Sequence, residues 1–342
     1  MELNEMSNGW NIAVLGATGA VGSAILELLV ERQFPVGELY LLASENSAGE
    51  NIRFNSQSYL VTEAETFDWS QAQLAFFVAG AEATARYADL AAESGCILID
   101  SSGLYAMEPE VPLVIASVNP HHLADYRSRN IISLPDSLVS QLLCAIEPLR
   151  EFGGFSRLQV TNLMSVSNYG NQAVQALAGE SARLLSGVPG EGHYFKQQLA
   201  FNVLSESEDE HGSMISECRL VDQVRKILQD EGIPISASSA LTPVFYGNTQ
   251  LVQVETLSPL SAEQVREQLS QSAEIHVSQE GDIPNAVEDA TATGSLCIGA
   301  IRQDYGSPEQ IKFWSVADNI RFSGALMAIT LAERLVEEYL SC

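Results

Sequence analysis

Through the first 134 residues, short unbroken apolar runs alternate with stretches in which apolar positions recur every three or four residues. The run at 11–15 is of the first kind, and Ile25, Leu26, Leu29 and Val30 carry the helical spacing that follows it. The strand pattern returns at 39–43, 74–79 and 96–99, with a helix near 82–94. Apolar strands separated by amphipathic helices predict a mostly parallel sheet covered on both faces. Beyond residue 150 the expected strands lengthen, at 158–167, 233–241, 250–257, 295–302 and 310–317, and several alternate apolar with polar positions. Helices are expected near 171–186, 214–231 and 261–272. A last amphipathic helix, about 320–341, places Leu326, Ile329, Leu331, Leu335 and Val336 on one side and is expected to pack back on the first domain. The expected fold class is α/β. A Rossmann-like doubly wound domain spans 1–134, completed by 320–342, and an α+β domain with a mixed or antiparallel sheet spans 135–319.

Between the first strand and its helix stands Gly16-Ala17-Thr18-Gly19-Ala20-Val21-Gly22. Glycines at this spacing let the backbone turn sharply and approach a pyrophosphate, and the following helix offers free N–H groups at its positive end. Gly16, Thr18, Gly19, Ala20, Val21 and Gly22 are therefore candidate cofactor-binding residues. The end of the second strand, with Glu45, Ser47 and Ala48, is where the adenosine ribose of a dinucleotide would lie. A carboxylate there accepts a hydrogen bond from the 2′-hydroxyl and repels a 2′-phosphate. Glu45 with no arginine beside it favours NAD over NADP. Asn319, just before the last helix, is a candidate either for capping it or for reaching a cofactor carboxamide.

Charge narrows the partners. With 17 Lys and Arg against 44 Asp and Glu, the formal charge is −27, which repels nucleic acid and anionic membranes. No apolar run approaches the roughly 20 residues of a membrane span, and the first ten residues lack the pattern of a secretory signal. The segment 206–212 is expected to be an acidic exposed loop. Cys96, Cys144, Cys218, Cys297 and Cys342 form no metal-ligand spacing. They are expected to be buried free thiols of a cytoplasmic protein that holds no metal.

The helix expected at 137–150 begins after Leu134-Pro135-Asp136-Ser137. Asp or Ser at this junction caps a helix. A serine here becomes a nucleophile only with an adjacent base, and none of His121, His122, His193, His211 and His276 is placed beside it by the sequence. His193 is a candidate core or subunit-contact residue, and the other four are expected in loops or at the surface.

Taken in order, these pieces resemble the aspartate-semialdehyde dehydrogenase family. The matching stretches are 16–22, Ser47-Ala48-Gly49, Asp100-Ser101-Ser102, Val111-Pro112-Leu113-Val114, Val118-Asn119-Pro120, Ala200-Phe201-Asn202, Arg225-Lys226-Ile227-Leu228 and Val316-Ala317-Asp318-Asn319. The resemblance implies a catalytic and dimerisation role for the second domain, a homodimer or tetramer, a small-molecule ligand, and reduction of aspartyl phosphate with NADPH through a thioacyl enzyme. It also implies where the catalytic groups should be. The nucleophilic cysteine falls on Ser137, the glutamine that orients it on Met164, and the acid/base histidine on Asn248. The arginine for phosphate falls on Ala106, and the arginine for the substrate carboxylate on Leu241. Glu217 and Arg219 keep the charges of the substrate-side pair. The chain is also similar to the cysteine-less Usg branch of the family. Three readings follow: a dinucleotide-binding homologue without phosphorylating dehydrogenase activity, an active oxidoreductase with altered substrate, and a non-catalytic partner of a true family enzyme.

Overall fold

The computed structural model describes residues 9–152, 154–188, 194–206, 212–291 and 293–340. His193, His211, Cys342 and the acidic stretch 207–211 lie outside them. The chain divides into two compact units, Met1–Pro135 with Gly324–Cys342, and Asp136–Ser323.

The first unit is built on a seven-stranded sheet. Its elements are β1 (Trp10–Leu15), α1 (Ala20–Glu31), β2 (Val36–Ala43), β3 (Asn51–Phe54), β4 (Gln57–Glu63), β5 (Leu74–Phe77), α2 (Ala81–Glu93), β6 (Ile97–Asp100) and β7 (Ile131–Ser133), in sheet order β3-β4-β2-β1-β5-β6-β7. All neighbours run parallel except the β3–β4 hairpin. Ile12, Val14, Leu41, Phe76 and Leu98 are almost fully buried, as strands covered on both faces require. The chain leaves β1 for β2 on one side and later returns to β5 on the other. The ends of β1 and β5 therefore form the crevice at which such sheets bind ligands.

The last helix completes this unit. Its regular part is Met327–Leu335, with wider π-type turns before and after it. It packs on α1. Arg32 grips Glu333 through two bonds of 2.7 Å, and Arg334 donates to the Ala116 carbonyl.

The second unit comprises α3 (Ser137–Ile146), β8 (Phe155–Met164), α4 (Asn171–Leu185), β9 (Leu204–Ser205), α5 (Ile215–Leu228), β10 (Ile235–Leu241), β11 (Asn248–Thr256), α6 (Ala262–Leu269), β12 (Ile275–Val277), β13 (Leu296–Gln303) and β14 (Gln310–Ala317). With these, the helix Met327–Leu335 is α7. The sheet order is β12-β13-β14-β11-β8-β10-β9, with parallel β12–β13 and β8–β10 pairs in an otherwise antiparallel sheet.

Period-two alternation assigns the two faces of this sheet. One face carries Leu158, Val160, Asn162, Val252 and Phe313, all buried. The other carries Gln159, Thr161, Leu163, Leu251, Gln253 and Trp314, which are only partly buried. The buried helix α3 lies against β11, β13 and β14. A polar seam crosses that contact: Gln141 Nε2 donates to Ser315 Oγ at 3.1 Å, and Gln250 Nε2 donates to the Leu138 carbonyl at 2.8 Å. Of the thiols, Cys96, Cys144 and Cys297 are buried, but Cys218 is exposed, against expectation. It stands on α5, whose buried positions are Leu220, Gln223, Val224, Ile227 and Leu228.

Candidate functional site

At the carboxyl ends of β1, β2 and β5 lies a cavity of about 730 Å³. Leu15, Gly16, Thr18 and Gly19 form its floor, Ser44, Glu45, Asn46 and Ser47 one wall, and Ala79, Glu82, Ala83, Arg86 and Tyr87 the other. Gly16 has a φ of 98°, and a Cβ there would sit 2.9 Å from the Ala79 nitrogen. At Gly22 a Cβ would lie 2.2 Å from the Gly16 carbonyl oxygen. The two glycines therefore allow the close approach of the turn to β5 and of α1 to the turn.

Gly19 caps α1, with no side chain bonded to the first turn and no acidic residue in it. The N–H groups of Ala20, Val21 and Gly22 thus start the helix as free donors, which is the arrangement that receives a pyrophosphate. The turn after β2 is closed by Ser47 and Ala48, whose N–H groups both donate to the Ser44 carbonyl at 3.0 Å. It holds Glu45, exposed, on the cavity wall.

In the second unit Ser137 is the first residue of α3, not its cap. Asp136 does the capping: one carboxylate oxygen accepts from the Leu138 N–H at 3.0 Å and the other pairs with Arg219 at 3.1 Å. The Ser137 hydroxyl donates to Asn168 Oδ1 at 3.1 Å and accepts from Asn248 Nδ2 at 3.4 Å. The two asparagines are joined at 2.6 and 3.2 Å. The network continues through Ser165, whose N–H and hydroxyl both donate to Asn248 Oδ1, and through Ser167. Ser165 and Ser167 donate to Asn319 Oδ1 at 3.3 and 2.9 Å, and the Gly247 N–H adds a third bond.

Every side chain in this network is an amide or a hydroxyl, so none ionises near neutral pH to serve as an acid or base. The helix-capping alternative for Asn319 is overturned. Asp318 caps the following turn through the Ile320 and Arg321 N–H groups, because the carboxylate one residue earlier reaches both donors.

The remaining candidates lie at strand ends, on α5 and in a turn of the first unit. Met164 and Leu241 end adjacent parallel strands as register partners, each 3% exposed. Glu217 accepts from the Ser239 N–H of β10 at 2.7 Å, and Arg219 is taken by Asp136. In the first unit Ala106 is 1% exposed and its N–H closes a turn onto the Gly103 carbonyl. That turn begins at Asp100, whose carboxylate accepts from the Ser102 N–H and from the Thr84 hydroxyl. Burial raises its pKa, while the bonds from Ser102 and Thr84 pull it down.

Two of the buried thiols are poor nucleophiles: burial pushes Cys96 up to about 12 and raises Cys297. Among the described residues no three His, Cys, Asp or Glu are grouped to hold a metal ion, and no helix is long and apolar enough to cross a membrane. Asn168, Ser165 and Ser167 are the members of the network that sequence reading missed. Short polar residues after a strand carry the signal of a turn and no more.

A unit with the glycine turn and sheet of a nucleotide-binding domain, followed by a mixed-sheet unit, defines the two-domain class. Residues 11–126 match the semialdehyde dehydrogenase NAD binding domain, and 146–322 match the semialdehyde dehydrogenase dimerisation domain. A protein named aspartate-semialdehyde dehydrogenase 2 from Vibrio cholerae is 41% identical over 98% of this chain and its own full length. A USG-1 protein homolog from Pseudomonas aeruginosa is 36% identical, again over 98% of this chain and 100% of its own. The crystal structure of aspartate semialdehyde dehydrogenase II from Vibrio cholerae superposes with a TM-score of 0.94 at 40% identity, covering 97% of this chain and 100% of that one. The chain belongs to the aspartate-semialdehyde dehydrogenase family.

Proposed function

We propose that the protein binds a nicotinamide dinucleotide, NAD in preference to NADP, and does not perform the phosphorylating dehydrogenase reaction of its family. The observation that carries this reading is the company of Ser137. Its hydroxyl is bonded to two carboxamides, and a serine needs an adjacent base to become a nucleophile. An amide oxygen accepts the hydroxyl hydrogen bond but does not hold the proton. The buried apolar residues at 106 and 241 support the same reading from the substrate side, since the family resemblance puts anion-binding arginines there. Retention of the glycine turn and its cavity supports cofactor binding. The match to a dimerisation domain, with a half-exposed sheet face in that unit, supports a homodimer. Association of such dimers would give a tetramer.

A second reading, an active oxidoreductase of altered substrate, draws on the printed names of relatives at 39–41% identity. Calorimetric titration of the ligand-free protein with NAD and then NADP is the test of the binding half of the proposal. The expected result is micromolar binding of NAD and weaker binding of NADP. A folded protein giving no heat with either would overturn it and favour the third role, a mixed assembly with a true family enzyme.

A further inference from the structure

Four charged groups line the dinucleotide cavity: the carboxylates of Glu45, Glu63 and Glu82, and the guanidinium of Arg86. Arg86 is the only cationic side chain among the described residues of that lining, and it is not free. It is ion-paired with Glu65, the two side chains being 63% and 49% exposed. Glu65 is held from a second side, where the Tyr87 hydroxyl donates to the same carboxylate oxygen at 3.0 Å. The Arg86 guanidinium also lies 5.4 Å from the centroid of the Tyr87 ring. Glu65, Arg86 and Tyr87 thus form one cluster, of which Arg86 and Tyr87 line the cavity together with Ser44, Glu45, Asn46 and Ser47 at the end of β2.

We propose that Glu65 sets the cofactor preference of this cavity by neutralising Arg86, the one group there suited to a ribose 2′-phosphate. The inference rests on the dinucleotide reading above and adds to it the residues that decide between NAD and NADP. A 2′-phosphate carries about −1.5 to −2 charges near neutral pH and is recognised best by a guanidinium fork. With Arg86 occupied, that phosphate faces Glu45, Glu63 and Glu82 with no available counter-charge. A ribose bearing two hydroxyls meets no such repulsion. Because the ion pair is exposed, breaking it costs the fold little, so its removal should be felt in selectivity and not in folding.

The test is calorimetric titration with NAD and NADP of the natural protein, Glu65→Gln, Arg86→Ala and the double variant, with thermal unfolding as the check on folding. The amide introduced by Glu65→Gln keeps an acceptor for Tyr87 and releases Arg86. Glu65→Gln should tighten NADP by up to about fivefold and leave NAD within about twofold, as expected for one exposed charge interaction. Adding Arg86→Ala to it should cancel the gain. Arg86→Ala alone should weaken NADP by no more than about twofold, through the Glu65 carboxylate it leaves unpaired, because the guanidinium is already engaged. Equal effects of Glu65→Gln on both nucleotides, or no effect on either, would overturn the selectivity proposal while NAD binding by the natural protein stands. Loss of NADP binding in Arg86→Ala alone would overturn it as well, by placing the guanidinium on the phosphate already. Failure of the natural protein to bind either nucleotide would remove both readings together.

Discussion

Ser137→Cys is expected to leave the protein without dehydrogenase turnover, even though on the proposed reading it puts a thiol back where the family keeps its nucleophile, at the start of a helix. A helix N-terminus lowers a thiol pKa and favours the thiolate. The new side chain would nevertheless meet Asn168 and Asn248, which relay no proton. Loss of a nucleophile together with its base costs on the order of 10⁶ in kcat in a well-studied hydrolase, and the two act as a unit. On the proposed reading, each arginine that the family resemblance puts at 106 and 241 would have supplied a further charge-assisted contact worth about 1.5–3 kcal/mol. Restoring one member of such a set recovers little. The check is phosphate-dependent reduction of NADP by aspartate semialdehyde, measured for Ser137→Cys beside the natural protein. A large gain from that one atom would show that the amide network is not what blocks the chemistry.

Gly22→Ala is expected to destabilise the first unit and to abolish nucleotide binding. The added Cβ would lie 2.2 Å from the Gly16 carbonyl oxygen and 2.8 Å from the Ala17 Cα. Both contacts are backbone, so no side chain can swing away. Relief requires α1 to move off the turn, and overpacking of this kind typically costs about 1–3 kcal/mol. The same movement displaces the first turn of α1, which starts directly after Gly19 of the cavity floor. Gly19→Ala is the control, since Gly19 has a φ of −79° and its Cβ would meet only the Gly16 oxygen, at 3.2 Å. Urea unfolding should show a clearly lower midpoint for Gly22→Ala and a smaller change for Gly19→Ala. Equal midpoints would mean that helix and turn are less tightly packed than the geometry requires.

The alternation of β1, α1 and β2 is legible in the sequence because burial on both faces writes unbroken apolar runs, and because the glycine turn stands between a strand and a helix. The hairpin β3–β4 is not. Its turn is Asn55-Ser56, with φ of 45° and 67°, and it lacks the glycine that usually marks a two-residue hairpin turn. β7 is only three residues long, too short for periodicity to register. The final helix packs on α1; its apolar stripe shows that one side is covered and does not say by what.

At the candidate site, the family resemblance singles out positions 137 and 248 but not Asn168, which bonds to both. Asn168 and Asn248 are 80 residues apart and meet only because β8 and β11 are antiparallel neighbours. Asp136 and Ser137 are interchangeable as caps on residue type, and geometry separates them. Glu217 and Arg219 look like a substrate-binding pair in sequence, yet each has a partner within the fold: the backbone of β10 and the carboxylate of Asp136.

On the proposed reading, the fold has kept its dinucleotide cavity while the position of the nucleophile is held in a network without acid or base. The most direct measurement is the dehydrogenase assay itself on the natural protein: aspartate semialdehyde, phosphate and either NAD or NADP, followed at the absorbance of the reduced nicotinamide. The expected result is a rate no higher than the protein-free control, from a sample that binds NAD. Turnover in the usual enzymatic range of about 1–10³ s⁻¹, lost in Ser137→Ala, would contradict it.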